Sequence, residues 1–359
     1  MARSNFDTRS TIRTVALQAG CSVATVSRVI NRSGPASAEA RSRVEAAVSE
    51  LGFVPSDLGR SLRAKRTSAI GVVVPSFINP VFAASVSGLE AIARDDNRHL
   101  LVAATDYDVS REIEVVEALL RQRVEGLVLT VADAERSEAL DRLDREGVPY
   151  VLVYNQPRGG RCAVTVDNRA ASAELTRQFL VRGHRRLAYV AGRFRTTDRS
   201  RMRFEGTAAE LAAAQLETAG LIELDYLDSI EGHAAALRKA LAGAGRPTGL
   251  LCSNDLLALS VIAALRSLAI DVPGEVSVAG FDGIAFGRMV HPSLATIDTP
   301  TVEMGRQAMQ RLLGLMSGKA PVPRTVELLP FEFRPGGSLA PVPGEKAGGG
   351  ERRRPIRRN

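Results

Sequence analysis

No run of about 18 apolar residues occurs in this 359-residue chain, so no membrane-spanning helix is expected. The opening MARSNFDTRSTIR lacks the apolar stretch of a secretion signal, and a cytoplasmic protein is expected. Cysteine is scarce. Cys21, Cys162 and Cys252 are far apart, odd in number and set among apolar or small residues. That spacing suits no metal site and fits reduced, buried thiols. The four histidines, His99, His184, His233 and His291, stand in no nucleophile or metal arrangement. There is no P-loop, no GxGxxG after a strand, no GxSxG and no HExxH. Catalytic residues, a metal and a cofactor are therefore not expected.

What is present is an ordinary globular composition, 45% hydrophobic and 24% charged, with length for two or three domains. The net charge of +7 is unevenly placed. Residues 1–66 hold 11 Lys and Arg against 5 Asp and Glu, and residues 340–359 hold 6 against 2. The middle, 67–339, holds 30 against 33. Positive charge at the ends, above all the first, suits binding to a phosphate backbone through counterion release.

The first sixth reads as short helices. Thr11 is placed to cap one helix, whose apolar face is Val15, Ala16 and Ala19. Gly20 suits the left-handed turn that ends it, and Ser22 can cap a second helix. This is the helix-turn-helix pattern, whose second helix enters the DNA major groove. Val23, Ala24, Ser27, Arg28 and Asn31 fall near one face of that helix, with Val26 and Ile30 turned inward. Arg28 could bond a guanine edge, Asn31 and Ser27 a base or phosphate, and Val23 a thymine methyl. Periodicity alone fits a plain helical hairpin as well. Ser37 can cap a third helix carrying Val44, Val48 and Leu51, which Gly52 ends.

From Ala69 the pattern changes to apolar strands alternating with helices. The strands are AIGVVVP, HLLVAATDY, GLVLTV and YVLVYN, then RLAYVAG, GLLCSN and VSVAGFD. Helices are expected near Val81–Asp95, Ser110–Gln122, Glu135–Glu146, Ala170–Arg182, Arg203–Ala219, Gly232–Ala244 and Leu256–Leu268. Two such series imply two parallel-sheet α/β subdomains, with ligands beyond the strands' carboxyl ends. Asn155, Asn254, Asp255 and Asp282 fall there. Asp255 and Asp282 could also be helix N-caps or turn residues, Asp255 the more readily.

TVALQAGCSVATVSRVIN followed by ELGFVPSDLGRSLR resembles the N-terminal module of the lactose-repressor (LacI/GalR) family of bacterial transcription regulators. The likeness continues through IGVVVPSFINPVF, RQRVEGLVL, GHRRLAYVAG, RMRFEG, SNDLLAL, VPGEVSVAGFDG and HPSLATID, covering roughly residues 11 to 336. It implies an all-α helix-turn-helix DNA-binding head (1–55) that reads DNA with Ser22, Val23, Ala24, Thr25, Ser27, Arg28 and Asn31. A hinge (56–66) would follow, its Leu62 wedging between base pairs. Without the resemblance, a polar linker fits that stretch equally. Ser56 and Gly59 depart from the family's usual Asn and Ala, and Gly59 should weaken a hinge helix by about 1 kcal/mol.

The resemblance further implies a periplasmic-binding-protein-like core over 67–336. Its first subdomain would take 67–167 plus 299–327 and its second 168–298 plus 328–336. SLATIDTP and TVELLPFEF would cross between them, and helix Val302–Ser317 would rejoin the first. Arg203, Asn254 and Asp282 match effector-bonding positions, and Phe82 matches an aromatic platform, though its spacing alone fits a core residue equally. Ser76 and Tyr154–Asn155 depart from the usual residues there. Arg193, Arg195, Arg199 and Arg201 suit either an anionic effector or a solvated basic surface. The expected protein is a homodimeric regulator, chiefly a repressor, of a palindromic operator, controlled by a sugar-like effector and without a membrane partner. Residues 337–359 are expected to be a disordered basic tail.

Overall fold

A computed structural model describes residues 11–31, 33–53, 67–217, 220–226, 228–243, 245–318 and 325–342. The expected hinge, with Leu62 and Gly59, lies outside the described residues. The chain divides into two compact units between Thr67 and Ser68.

The first unit holds three helices, α1 (Ile12–Gln18), α2 (Val23–Asn31) and α3 (Ala38–Glu50). Thr11 and Thr14 close a reciprocal capping box at the start of α1. Gly20 takes φ +59 in the turn, and the Ser22 hydroxyl accepts from the Thr25 amide at 3.1 Å to start α2. Ser37 caps α3. Val15, Ala16, Ala19, Val26, Val29, Val44 and Ala47 bury together as the core of this unit.

The second unit consists of two lobes, each built on a six-stranded sheet. The first lobe runs β1 (Ala69–Val74), α4 (Pro80–Asp95), β2 (His99–Ala104), α5 (Ser110–Arg121), β3 (Gly126–Leu129), α6 (Glu138–Glu146), β4 (Tyr150–Val153) and β5 (Ala163–Val166). The second runs α7 (Asn168–Leu180), β6 (Leu187–Gly192), α8 (Asp198–Ala213), β7 (Gly220–Leu224), α9 (Ile230–Ala240), β8 (Gly249–Cys252), α10 (Asp255–Ser267), β9 (Ser277–Asp282) and β10 (Ala295–Asp298). The chain then returns to the first lobe for α11 (Thr301–Ser317) and β11 (Val326–Leu329), and ends in the second with β12 (Glu332–Arg334). The sheet orders are β11-β5-β4-β3-β1-β2 and β12-β10-β9-β8-β6-β7, parallel throughout except where β12 meets β10. The central strands are buried apolar runs, as sheets covered on both faces require.

Helix α11 rejoins the first lobe by crossing α4 at two glycines. A Cβ on Gly88 would stand 2.0 Å from the Val302 carbonyl oxygen, and one on Gly305 2.0 Å from that of Ser85. Only glycine permits this approach of two backbones.

Several expectations need correction. Strands β5 and β7 are additions to the expected set; β7 is a largely exposed edge strand and lacks the apolar run that marks the others. Helix α8 starts at Asp198 rather than Arg203, because Thr197 caps it from within the arginine-rich stretch. The crossing into β12 falls after Leu329, since Leu328 and Leu329 still pair with Thr165 and Val166 in the first sheet. Residues 337–342, expected as the start of a disordered tail, are packed. Ser338 Oγ accepts from the Ala295 amide and donates to the Val278 carbonyl, and His184 Nε2 lies 3.0 Å from the Ala340 carbonyl oxygen. Cys162 and Cys252 are buried, whereas Cys21 is half-exposed in the turn of the head.

Candidate functional site

Two sets of side chains are candidates, one in each unit. In the head, the outer face of α2 leaves Val23, Ala24, Arg28 and Asn31 exposed, preceded by exposed Ser22, with Thr25 half-exposed. Arg28 lies along the helix, its Nε donating to the Ala24 carbonyl at 3.3 Å. Ser27 does not share this face. It is 6% exposed, and its hydroxyl accepts from Asn31 Nδ2 at 3.2 Å, so it orients Asn31 rather than presenting itself. Leu17 of α1, which the sequence does not single out, is 82% exposed.

In the core, the carboxyl ends of both sheets face one cleft. Phe82, one turn into α4, meets Tyr154 edge-on at 5.6 Å. Tyr107, past β2, and Tyr226, past β7, bring their rings within 4.8 Å of each other from opposite lobes. Arg203 of α8 is almost fully buried. Its Nε donates to Asn168 Oδ1 at 2.8 Å, its Nη1 to the Ser253 carbonyl at 2.5 Å, and its guanidinium lies 3.5 Å from the Phe281 ring centroid. The same Nη1 is 3.5 Å from Asp282 Oδ1. Burial pushes the Asp282 carboxyl up to about 6, against the pull of Arg203 and Arg199. Ser200 Oγ is buried in this cleft without a hydrogen-bond partner.

Phe82, Arg203, Asn254 and Asp282 therefore lie together, with Tyr107, Tyr154, Arg199, Ser253 and Tyr226 around them. Asn254 lines the cleft while its Oδ1 accepts from the Leu257 amide as the N-cap of α10. Asp255 instead turns inward. Its carboxylate takes the amides of Gly283 and Ile284 at 2.8 Å and the Thr296 hydroxyl at 2.5 Å, which fixes the turn carrying Asp282.

Asn155 is not brought to the cleft. It is fully buried, exchanging hydrogen bonds with the Val131 backbone and donating to Asp198, so its amide is spent within the protein. Tyr154 takes φ +69, and the chain turns there. Of the four arginines, Arg193 and Arg201 pair with Asp225 and Asp133, and Arg195 is exposed at the rim. Only Arg199 lines the cleft.

The profile of bacterial regulatory proteins of the lacI family matches residues 11–56, and that of a periplasmic binding protein-like domain matches residues 176–339. The ribose operon repressor of Escherichia coli (strain K12) is 31% identical over 305 residues, covering 85% of this chain and 92% of that protein. This chain belongs to the LacI family of bacterial regulatory proteins. The HTH-type transcriptional regulator GalR of Salmonella typhimurium (strain LT2) is 32% identical over 327 residues, covering 89% of this chain and 93% of the relative. Among solved structures, the lac repressor dimer bound to operator and the anti-inducer ONPF superposes with a TM-score of 0.78 at 25% identity, over 92% of this chain and 99% of that one. The two-unit organisation, an all-α head and a two-lobed α/β core, is that of the LacI family.

As a LacI-family member the protein is a sequence-specific DNA-binding transcriptional regulator. The relatives it matches are transcriptional regulators. Among the described residues no helix is long and apolar enough to cross a membrane. Sequence reasoning misses Tyr107 and Tyr226 because Tyr107 reads as the end of its strand and Tyr226 follows β7, which has no apolar run. An aromatic residue a step or two beyond a strand's carboxyl end is the available signal.

Proposed function

We propose that the protein is a dimeric repressor whose grip on a palindromic operator is set by a small polyhydroxylated effector in the interlobe cleft. Ser22, Val23, Ala24, Thr25, Arg28 and Asn31 would face the major groove, with Arg28 and Asn31 supplying the base-edge hydrogen bonds. Phe82 would give the effector an apolar platform. Arg203, Asn254 and Asp282, with Ser200, would take its hydroxyls. The observation that carries this reading is the buried Arg203–Asp282 pair beside unpartnered Ser200 Oγ, at the carboxyl ends of two facing sheets. The ribose in one relative's name and the operator bound by another agree with it.

A second copy is the partner that suits the exposed apolar side chains of the core. Phe77, Ile78, Phe286 and Met289 are each more than half exposed, and β2 is an edge strand with Leu101 and Val102 partly uncovered. A two-fold protein reads a two-fold site, which one short helix alone cannot specify.

Selection of bound DNA from a random pool tests the reading. The bound sequences should converge on a palindrome, and a polyol from a metabolite panel should shift both the melting temperature and the affinity for that palindrome. Recovery of no symmetric site at low salt would refute it.

A further inference from the structure

The two lobes are joined at one end of the cleft by a single turn of helix. Asp198 is the first residue of α8, in the second lobe, yet it is 1% exposed and, its neighbour Arg199 apart, the groups it bonds are in the first. Its carboxylate accepts from the Ala134 amide at 3.1 Å and from Asn155 Nδ2 at 2.9 Å, and its own amide donates to the Ala132 carbonyl at 2.7 Å. Arg199 Nη1 donates to the Val131 carbonyl at 2.7 Å and lies 3.2 Å from Asp198 Oδ1. Arg201 Nη2 meets Asp133 Oδ2 at 3.0 Å. The receiving segment, 131–134, is anchored in its own lobe by Glu112, which accepts from the Ala132 amide at 2.6 Å.

We propose that this first turn of α8 is a bolt between the lobes, and that the lobes separate by releasing it as one unit while each stays folded. A satisfied network of buried charges has a narrow geometry; once one member withdraws, the rest are left desolvated and unpaired. The bolt therefore has a closed arrangement and a released one, with little between. A second cross-lobe contact, the Tyr107–Tyr226 ring pair, is apolar and half-exposed, so it can slide.

The cleft behind the bolt encloses about 30 Å³, room for one water, whereas small-molecule sites ordinarily span some 300–1,000 Å³. A sugar-sized guest seated on Arg203 and Asp282 needs this part of the cleft to widen. One turn further along α8, Arg203 reaches Asp282 and the Ser253 carbonyl, so the helix that carries the bolt also touches the guest. That last link rests on the effector reading above; the bolt itself does not.

Hydrogen exchange of the full-length protein tests the bolt without any ligand or DNA. The Ala134 and Asp198 amides bridge the lobes, whereas the Thr130 and Ser253 amides bond within one lobe each, to Val73 and Val190. The bridging pair should exchange together and faster than the internal pair. Asn155→Ala and Arg201→Ala should each speed the bridging pair on the order of tenfold and leave the internal pair unchanged. The Arg201 pair is partly exposed, so that variant should fold even if Asn155→Ala does not. Exchange of all four amides in one step in the unsubstituted protein overturns the bolt, as does an unchanged bridging pair in Arg201→Ala. A protein that behaves as expected here yet responds to no metabolite keeps the bolt and loses the effector reading.

Discussion

Asp282 combines a φ of +116 with burial and an arginine 3.5 Å away. Its carboxyl, held near 6, stays protonated in the folded protein where the unfolded chain has already lost the proton. Its contribution to stability is therefore present below about pH 4 and is lost as pH rises through about 6. Above that value the ionised carboxylate is the stronger acceptor for a hydroxyl. Effector affinity should therefore rise as pH passes upward through about 6, and titration calorimetry of Asp282→Asn should give a flat profile there. In the head, Arg28→Ala should weaken binding to the selected palindrome by about 1–3 kcal/mol and relax one base position, read by competition against single-base variants. Ser27→Ala acts through its neighbour: it removes the acceptor that holds Asn31, so it should cost less affinity than Arg28→Ala and relax specificity at the base Asn31 reads.

At the scale of elements, the crossing of α4 and α11 is set by two missing side chains. Gly305→Ala would drive a methyl into the Ser85 carbonyl, and a melting-temperature shift should report about 1–3 kcal/mol of destabilisation confined to the core. Gly192→Ala is the informative counterpart, because its Cβ would lie 2.1 Å from the Tyr226 ring. That substitution should expel Tyr226 from its contact with Tyr107 and alter effector binding more than stability. Much at this scale is legible in the sequence: Thr11, Gly20, Ser22 and Ser37 each carry a local physical preference that the fold then uses. What stays hidden depends on distant partners. Strand β7 is held by β6 and not by its own apolar content, and α8 begins at a threonine cap masked by arginines. Asn155 does lie past a strand, as its sequence context says, but it does not line the cleft. The residue that claims its amide, Asp198, is 43 positions away.

For the whole molecule, the charge map and the fold agree. The basic excess of residues 1–66 accompanies the helix-turn-helix unit, and the core of residues 67–339 is mildly acidic. Non-specific DNA binding should therefore fall steeply with salt. Removing residues 343–359, which carry six basic side chains, should make the dependence of log affinity on log salt shallower, by up to about 0.9 for each phosphate those side chains neutralise. An unchanged slope would show that those residues stay off the DNA.

The first lobe is discontinuous in the chain: its last helix and last strand, residues 301–317 and 326–329, arrive after nearly all of the second lobe. During synthesis at about 5–20 residues per second, the helical head emerges complete long before its controlling lobe can close. A ribosome that stops early thus releases a finished DNA reader joined to an unfinished sensor. Message truncation should accordingly yield fragments that still reach DNA but no longer answer to metabolites.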